Sequence, residues 1–161
     1  MTDDPKRQEI LDILEAAREF AYAAGEVTLR YFGGIVESEA KGDGSPVTIA
    51  DREAEQLIRR EVAARFPEHG VLGEEFPVTN EGARVRWILD PIDGTRSFMR
   101  GVPLYGVLIG VEVDGVPVVG VAHFPALGEM VSAGLGLGCH WNGEPCTVST
   151  VTSLDRALVT T

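Results

Sequence analysis

The sequence predicts an α+β fold in which two long helices pack on an antiparallel sheet. Amphipathic helical patterns fill most of residues 5–66, and strand-like runs fill most of the chain after Gly70. A third observation is the pair Asp114-Gly115 between two β-rich runs, because a tight hairpin turn needs positive φ at both central residues. With 161 residues and 44% hydrophobic composition, the chain is expected to form one compact domain.

The first helix is predicted to begin at Asp4-Pro5, a good N-cap and first-turn pair, and to end before Gly33-Gly34. Apolar or small residues recur there at steps of three and four, which is the helical period. The buried face is expected to consist of Ile10, Leu14, Ala17, Ala21, Ala24, Thr28 and Phe32.

A second helix is predicted from Thr48 to Phe66-Pro67, with Asp51 in its first turn. Taken alone, the position of Asp51 is typical of helix capping. A short strand at 35–37 and a loop at 41–46 are expected between the two helices. The apolar face of the second helix is predicted to contain Ala50, Ala54, Leu57, Ile58 and Ala63.

The strands are predicted from β-rich runs bounded by turn residues. Asn142-Gly143 predicts a second tight turn, and a last strand is expected at 157–160. His69 and His123 have no partner motif, so both are expected at the surface or at a sheet edge. The predicted strands cover residues 71–73, 85–89, 105–113, 116–124, 130–133, 139–141 and 146–148.

The composition restricts the possible partners. A formal charge of -11 argues against a nucleic-acid or anionic-membrane surface, since those are bound by clustered Lys and Arg, and it suits a protein that holds metal cations. The N-terminal segment has no apolar region typical of an export signal, and no apolar run approaches the roughly 18 residues of a membrane helix. A cytoplasmic protein is therefore expected.

Candidate chemistry concentrates where the apolar run 87–89 ends in Asp90 and Asp93. Pro91 keeps Asp90 in extended backbone, so the chain turns only afterwards and Asp93 can approach Asp90. Two close carboxylates repel each other unless cations lie between them, and Mg²⁺ prefers such oxygen ligands. The carbonyl of Ile92 is a further candidate ligand.

Two neighbouring segments can complete this site. The N–H groups of Gly94 and Thr95 are candidates for binding a phosphate held by the same cations. Glu74 joins the cluster only if its strand lies beside the one that ends at Asp90. Otherwise Glu74-Glu75 is a solvated loop, and the Asp-Gly pair at 93–94 is an acidic turn.

Together, Gly73-Glu74-Glu75 and the string 87–95 resemble the paired motifs of the inositol monophosphatase family of Mg²⁺-dependent, lithium-sensitive phosphatases. Asp51 also matches that family's helix-borne aspartate, and the resemblance extends from the first helix to 158–160. It implies that residues 1–161 are the N-terminal α+β domain, binding metal and phosphate, of a layered α/β/α/β/α fold.

The resemblance also implies a role for each matched residue. Glu74, Asp90 and the Ile92 carbonyl would hold a first Mg²⁺, and Asp90 with Asp93 would hold a second. Asp51 and Thr95 would orient the attacking water as catalytic residues. The phosphate would be bound by Asp93, Gly94 and Thr95.

The implied activity is hydrolysis of a small alcohol phosphate, such as inositol 1-phosphate or a sugar monophosphate, by metal-activated water. Histidinol phosphate, fructose 1,6-bisphosphate and adenosine 3′,5′-bisphosphate stay open as substrates, and so does a non-catalytic metal-binding or interaction protein. The family implies a homodimer in the intact protein and a C-terminal α/β domain with a Trp-Asp motif. Because the sequence stops at Thr161 before such a motif, we expect that domain to be absent and this chain alone to have low activity.

Overall fold

Two long helices lie against one face of a seven-stranded sheet, as the sequence predicts. The computed structural model describes residues 5–34, 38–40 and 46–158. The helices are α1 (Pro5–Leu29), α2 (Ile49–Arg65) and the single turn α3 (Thr95–Phe98). A separate antiparallel ribbon is formed by β1 (Ser38–Ala40) and β2 (Pro46–Thr48). The large sheet contains, in spatial order, β3 (Gly70–Leu72), β4 (Val85–Asp93), β5 (Gly106–Val113), β6 (Val116–Phe124), β7 (Glu129–Gly134), β8 (Gly138–Trp141) and β9 (Glu144–Cys146).

Helix α1 is shorter at its C-terminal end than the pattern predicts. It ends at Leu29, and the chain continues as a turn in which the Phe32 N–H donates to the Thr28 carbonyl (3.1 Å). Gly33 then takes a φ of 77°, the left-handed conformation expected of it. The predicted face is buried from Leu14 to Thr28.

Helix α2 starts after Thr48, as predicted, with the capping box that Asp51 completes. One predicted core position is wrong: Ala63 is exposed, and Val62 is buried in its place. The buried side follows steps of four from Ala54 through Ile58, and the next step reaches 62 rather than 63.

The core lies between the helices and alternate residues of the central strands. In β4, Trp87 and Leu89 face the helices, and Val107, Ile109 and Val111 do so in β5. This alternation is the two-residue period of a sheet that buries one face. Trp87 is completely buried in this core.

Both predicted tight turns are confirmed by their backbone angles. Asp114 and Gly115 have φ of 52° and 77° between β5 and β6, and Asn142 and Gly143 have 49° and 87° between β8 and β9. All neighbouring strands of the large sheet are antiparallel except β3 and β4, which run parallel. Sequence patterns did not predict this parallel pair.

Four of the predicted strands have a different outcome from the rest. The strand predicted at 146–148 forms two residues earlier, as β9, and shares only Cys146 with the prediction. Strand β4 continues past the predicted Leu89 to Asp93, because it resumes its pairing with β5 after an irregularity. The strand expected at 157–160 is not formed at Ala157 and Leu158, which follow a 3₁₀ turn, and 159–160 lie outside the described residues. The short strand at 35–37 and loop residues 41–45 also lie outside them.

The surface position expected for His123 is wrong. Its ring is 5% exposed, and Nδ1 is hydrogen-bonded to the Ala21 carbonyl of α1 (3.0 Å). The ring fits there because α1 has Gly25 at the contact: a Cβ on Gly25 would lie 2.6 Å from His123 Cε1. His69 is half-buried, and its Nδ1 accepts a hydrogen bond from Trp87 Nε1 (3.0 Å).

No helix in the described part of the chain combines the length and the apolar composition needed to cross a bilayer.

Candidate metal centre

The parallel pair β3–β4 explains how two distant acidic segments meet. Leu72 of β3 is opposite Ile88 of β4, and continuing this register by two residues brings Glu74 level with Asp90. Parallel strands end at the same edge of a sheet, so both carboxylates emerge there. The condition on which Glu74 could join the cluster is therefore met.

An irregularity in β4 brings Asp93 to the same edge. Asp90 pairs with Leu108 and Asp93 with Gly106, so two residues of β4 face a single residue of β5 between them. This bulge contains Pro91 and Ile92, both buried. A bulge of this kind changes the direction of the side chains that follow it.

Asp90 has an unusual electrostatic environment. Burial, and then the negative charges of Glu74 and Asp93, raise the pKa of Asp90 from 3.8 to about 7. A hydrogen bond between the protonated Asp90 carboxyl and Glu74 adds to this increase, and a hydrogen bond with the Ile92 backbone partly opposes it. Asp90 is therefore close enough to both Glu74 and Asp93 for their charges to raise its pKa.

The segment after Asp93 turns into the single helical turn α3. Gly94 has a φ of 87° and is the N-cap of α3, and a Cβ at this position would lie 3.1 Å from the Leu104 carbonyl. The first N–H groups of a helical turn have no partner within it. Thr95 begins α3, and its hydroxyl donates to the Ile92 carbonyl (3.1 Å).

A small buried apolar cluster packs around this segment. It is formed by Ala50, Ile92, Phe98 and Tyr105, and the rings of Phe98 and Tyr105 meet edge to face at 4.9 Å. The Tyr105 hydroxyl is also hydrogen-bonded to Thr28 Oγ1 of α1 (3.0 Å). The turn between β4 and α3 is therefore held in one conformation by buried contacts.

Asp51 is buried in the first turn of α2, as a capping residue. Its Oδ2 accepts hydrogen bonds from the Thr48 backbone N–H (2.8 Å) and from Thr48 Oγ1 (2.5 Å). Its place beside the carboxylate cluster stays a prediction.

The donor atoms suit a hard divalent cation. Asp90 Oδ1 is buried and has no hydrogen-bond partner, which is costly unless a cation or water satisfies it. Among the described residues, no three histidine, cysteine, aspartate or glutamate side chains already form a metal-binding arrangement. The negative charge of Glu74 raises the pKa of Asp90, so a proton on Asp90 reduces the repulsion between the two side chains when no cation is bound.

Sequence reasoning missed Glu55 and Arg59, which contact the Glu74 segment from α2. Glu55 is completely buried, and its carboxylate accepts hydrogen bonds from the Glu75 and Phe76 N–H groups. The available signal was the pair of acidic residues Asp51 and Glu55, four apart, beside the apolar face containing Ala54 and Ile58.

The protein is of the α+β class, and Glu74, Asp90 and Asp93 lie at one edge of its large sheet. The model of the family described as "Inositol monophosphatase family" matches residues 9–161. The chain belongs to the inositol monophosphatase family.

Individual relatives agree with this assignment. A histidinol-phosphatase of Chlorobaculum parvum is 52% identical over 86% of this chain and 54% of its own length. An inositol-1-monophosphatase of Synechocystis is 37% identical over 92% of this chain and 52% of its own. The solved structure of the Thermotoga maritima IMPase superposes with a TM-score of 0.81 at 33% identity, over 86% of this chain and 54% of that one. The chain thus spans about half the length of these relatives.

Proposed function

We propose that this chain contains the metal- and phosphate-binding half of a phosphomonoesterase that hydrolyses a small alcohol phosphate. The observation that carries the proposal is the buried, unpartnered Oδ1 of Asp90 next to the charges of Glu74 and Asp93. An oxygen cluster of this kind favours Mg²⁺, and family membership supports the same reading.

Each site residue has a proposed task. Glu74, Asp90 and the Ile92 carbonyl would hold one Mg²⁺, and Asp90 and Asp93 would hold a second. When bound, the cations would activate water and neutralise the phosphoryl oxygens. The Gly94 and Thr95 N–H groups, next to Asp93, would bind and orient the phosphate, while Asp51 and Thr95 would orient the attacking water.

Histidinol phosphate is the second candidate substrate beside inositol 1-phosphate. The higher identity to the relative named histidinol-phosphatase favours it. Comparing phosphate release by the intact protein from these two esters and from fructose 1,6-bisphosphate would rank the three substrates by kcat/KM. Absence of turnover with all three, together with intact Mg²⁺ binding, would favour the non-catalytic metal-binding alternative.

Thermal unfolding with and without millimolar Mg²⁺ tests the metal site. A ligand that binds only the folded state raises Tm, so the wild type is expected to be stabilised and Asp90→Asn is not. Asp155→Asn, an exposed aspartate on a distant 3₁₀ turn, is the matched control and should respond like the wild type. Equal Tm shifts for the wild type and Asp90→Asn would refute the proposed site.

Thr95→Ala tests the water-orienting role. The substitution removes a hydroxyl but no carboxylate, so in the intact protein phosphate release should fall about 100-fold or more while Mg²⁺ binding changes little. Thr95→Ser keeps the hydroxyl and should retain most of the rate. Loss of Mg²⁺ binding in Thr95→Ala would instead make the hydroxyl a support for the Ile92 carbonyl.

A further inference from the structure

Glu55 is a fully buried carboxylate that contacts the backbone of the segment containing Glu74. Its Oε2 accepts a hydrogen bond from the Glu75 N–H (2.7 Å), and its Oε1 accepts one from the Phe76 N–H (3.3 Å). A buried charge is costly unless it is paired and hydrogen-bonded. The charge of Glu55 is paired with Arg59, one turn further along α2, whose Nε lies 2.7 Å from Oε1.

Arg59 extends the same contact. Its Nη2 donates to the Phe76 carbonyl (2.9 Å), and its guanidinium lies 5.9 Å from the centre of the Phe76 ring. The two side chains of α2 therefore satisfy both a donor and an acceptor of the same loop residue. This fixes the loop relative to the helix at a point two residues after Glu74.

Gly73, on the other side of Glu74, also lies close to the Glu55 carboxylate. A Cβ at Gly73 would lie 1.9 Å from Glu55 Oε1 and 2.3 Å from its Cδ, so no side chain fits while Glu55 keeps its position. The Glu55 carboxylate thus touches the backbone both before and after Glu74. Glu74 itself is at the exposed tip of this segment.

We propose that Glu55 is a positioning residue that, held by Arg59, fixes the backbone on both sides of Glu74 and so directs the Glu74 carboxylate toward Asp90. This inference rests on the proposed function, because Glu55 can position a metal ligand only if Glu74 binds a cation. Residues that orient metal ligands typically change metal affinity by 10- to 100-fold when they are replaced.

Calorimetric titration with Mg²⁺ and amide hydrogen exchange on the metal-free protein test the proposal together. Glu55→Gln keeps the size of the side chain but cannot accept all three hydrogen bonds. We expect roughly 10- to 100-fold weaker Mg²⁺ binding and faster exchange at the Glu75 and Phe76 amides. Gly73→Ala disturbs the same contact from the loop and should have the same two effects.

Val62→Ala is the matched control, since Val62 is buried in α2 but belongs to the main core. It should lower stability while leaving both Mg²⁺ affinity and exchange at 75–76 at wild-type values. If it weakened Mg²⁺ binding as much as Glu55→Gln does, general destabilisation would explain the effect and the positioning role would be refuted.

The possible failures are distinguishable. Wild-type Mg²⁺ affinity in a folded Glu55→Gln protein would overturn the positioning role and leave the proposed function intact. If Glu55→Gln does not fold, Gly73→Ala decides in the same way. A wild-type protein that binds no Mg²⁺ would overturn the proposed function, and this inference with it.

Discussion

The ionisation of Asp90 makes the stability of the folded protein depend on pH. In the metal-free protein its pKa is about 7, whereas an unfolded chain has the ordinary value of 3.8. Between pH 3.8 and about pH 7, Asp90 has lost its proton in the unfolded chain but keeps it in the folded protein. The free energy of unfolding contributed by Asp90 therefore falls as pH rises from about 4 to about 7, and then stays constant.

Mg²⁺ bound at the proposed site should oppose this dependence, because the cation would replace the proton on Asp90. We expect Mg²⁺ affinity to increase with pH up to about 7. Urea unfolding across this pH range, with and without Mg²⁺, measures both trends. Asp90→Asn should remove them, whereas Asp155→Asn should not; an unchanged pH profile in Asp90→Asn would contradict the assignment.

Asp51 combines a structural role with a proposed chemical one, and two substitutions separate them. Asp51→Asn keeps an oxygen that can accept both Thr48 hydrogen bonds, so stability should change little, but phosphate release by the intact protein should fall about 100-fold or more. Asp51→Ala should also lose about 1 kcal/mol of stability with the cap. Full turnover in Asp51→Asn would show that Asp51 is only a cap.

At the scale of elements, the sequence predicts the features that depend on local rules. Both hairpin turns follow from the backbone preferences of Asp-Gly and Asn-Gly, and α2 begins where the Thr48–Asp51 spacing indicates. The proximity of Glu74 to Asp90 depends on strand register, which no local pattern contains. The contact between Glu55 and the Glu74 loop depends on how α2 packs against that loop, so the sequence indicates only that Glu55 lies beside the apolar face of the helix.

Gly25 illustrates how tertiary contact overrides helix propensity. Replacing a glycine inside a helix by alanine normally stabilises it by about 1 kcal/mol. Here the new Cβ would lie 2.6 Å from His123 Cε1 and 2.9 Å from Pro125 Cγ, so we expect Gly25→Ala to destabilise the protein by about 1–3 kcal/mol.

Urea unfolding measures this effect, and a second substitution identifies its cause. His123→Ala removes the ring, so adding Gly25→Ala to it should cost much less than in the wild type. An equal cost in both backgrounds would mean that the ring contact does not explain the requirement for glycine.

At the scale of the whole molecule, net charge and exposed apolar surface have opposite effects on self-association. The net charge of -11 favours separate molecules, whereas Ile88 and other apolar side chains are at least one-third exposed. Among the described residues before the C-terminal segment, the most exposed large examples are Leu104 (67%), Leu135 (60%) and Tyr22 (58%). In addition, β9 is an outer strand of the large sheet, and outer strands can pair with another chain.

We therefore expect this 161-residue chain to self-associate with increasing concentration, and more strongly at high salt, which screens the charge repulsion. Sedimentation velocity at several concentrations and salt levels measures this. Ile88→Thr, on the sheet face turned away from Trp87 and Leu89, should weaken association without disturbing the core. A monomer under all these conditions would refute the prediction. It would also show that this chain alone does not form a homodimer.

The close approach of Gly73 to Glu55 also has an evolutionary consequence. Since no side chain fits at 73 while a carboxylate occupies the contact at 55, the two positions cannot vary independently. Among homologues, a residue larger than glycine at position 73 should occur only with a shorter residue than glutamate at position 55. Replacements of Gly73 should therefore occur only on branches of the family tree where position 55 has also changed, although 18 positions separate the two sites along the chain.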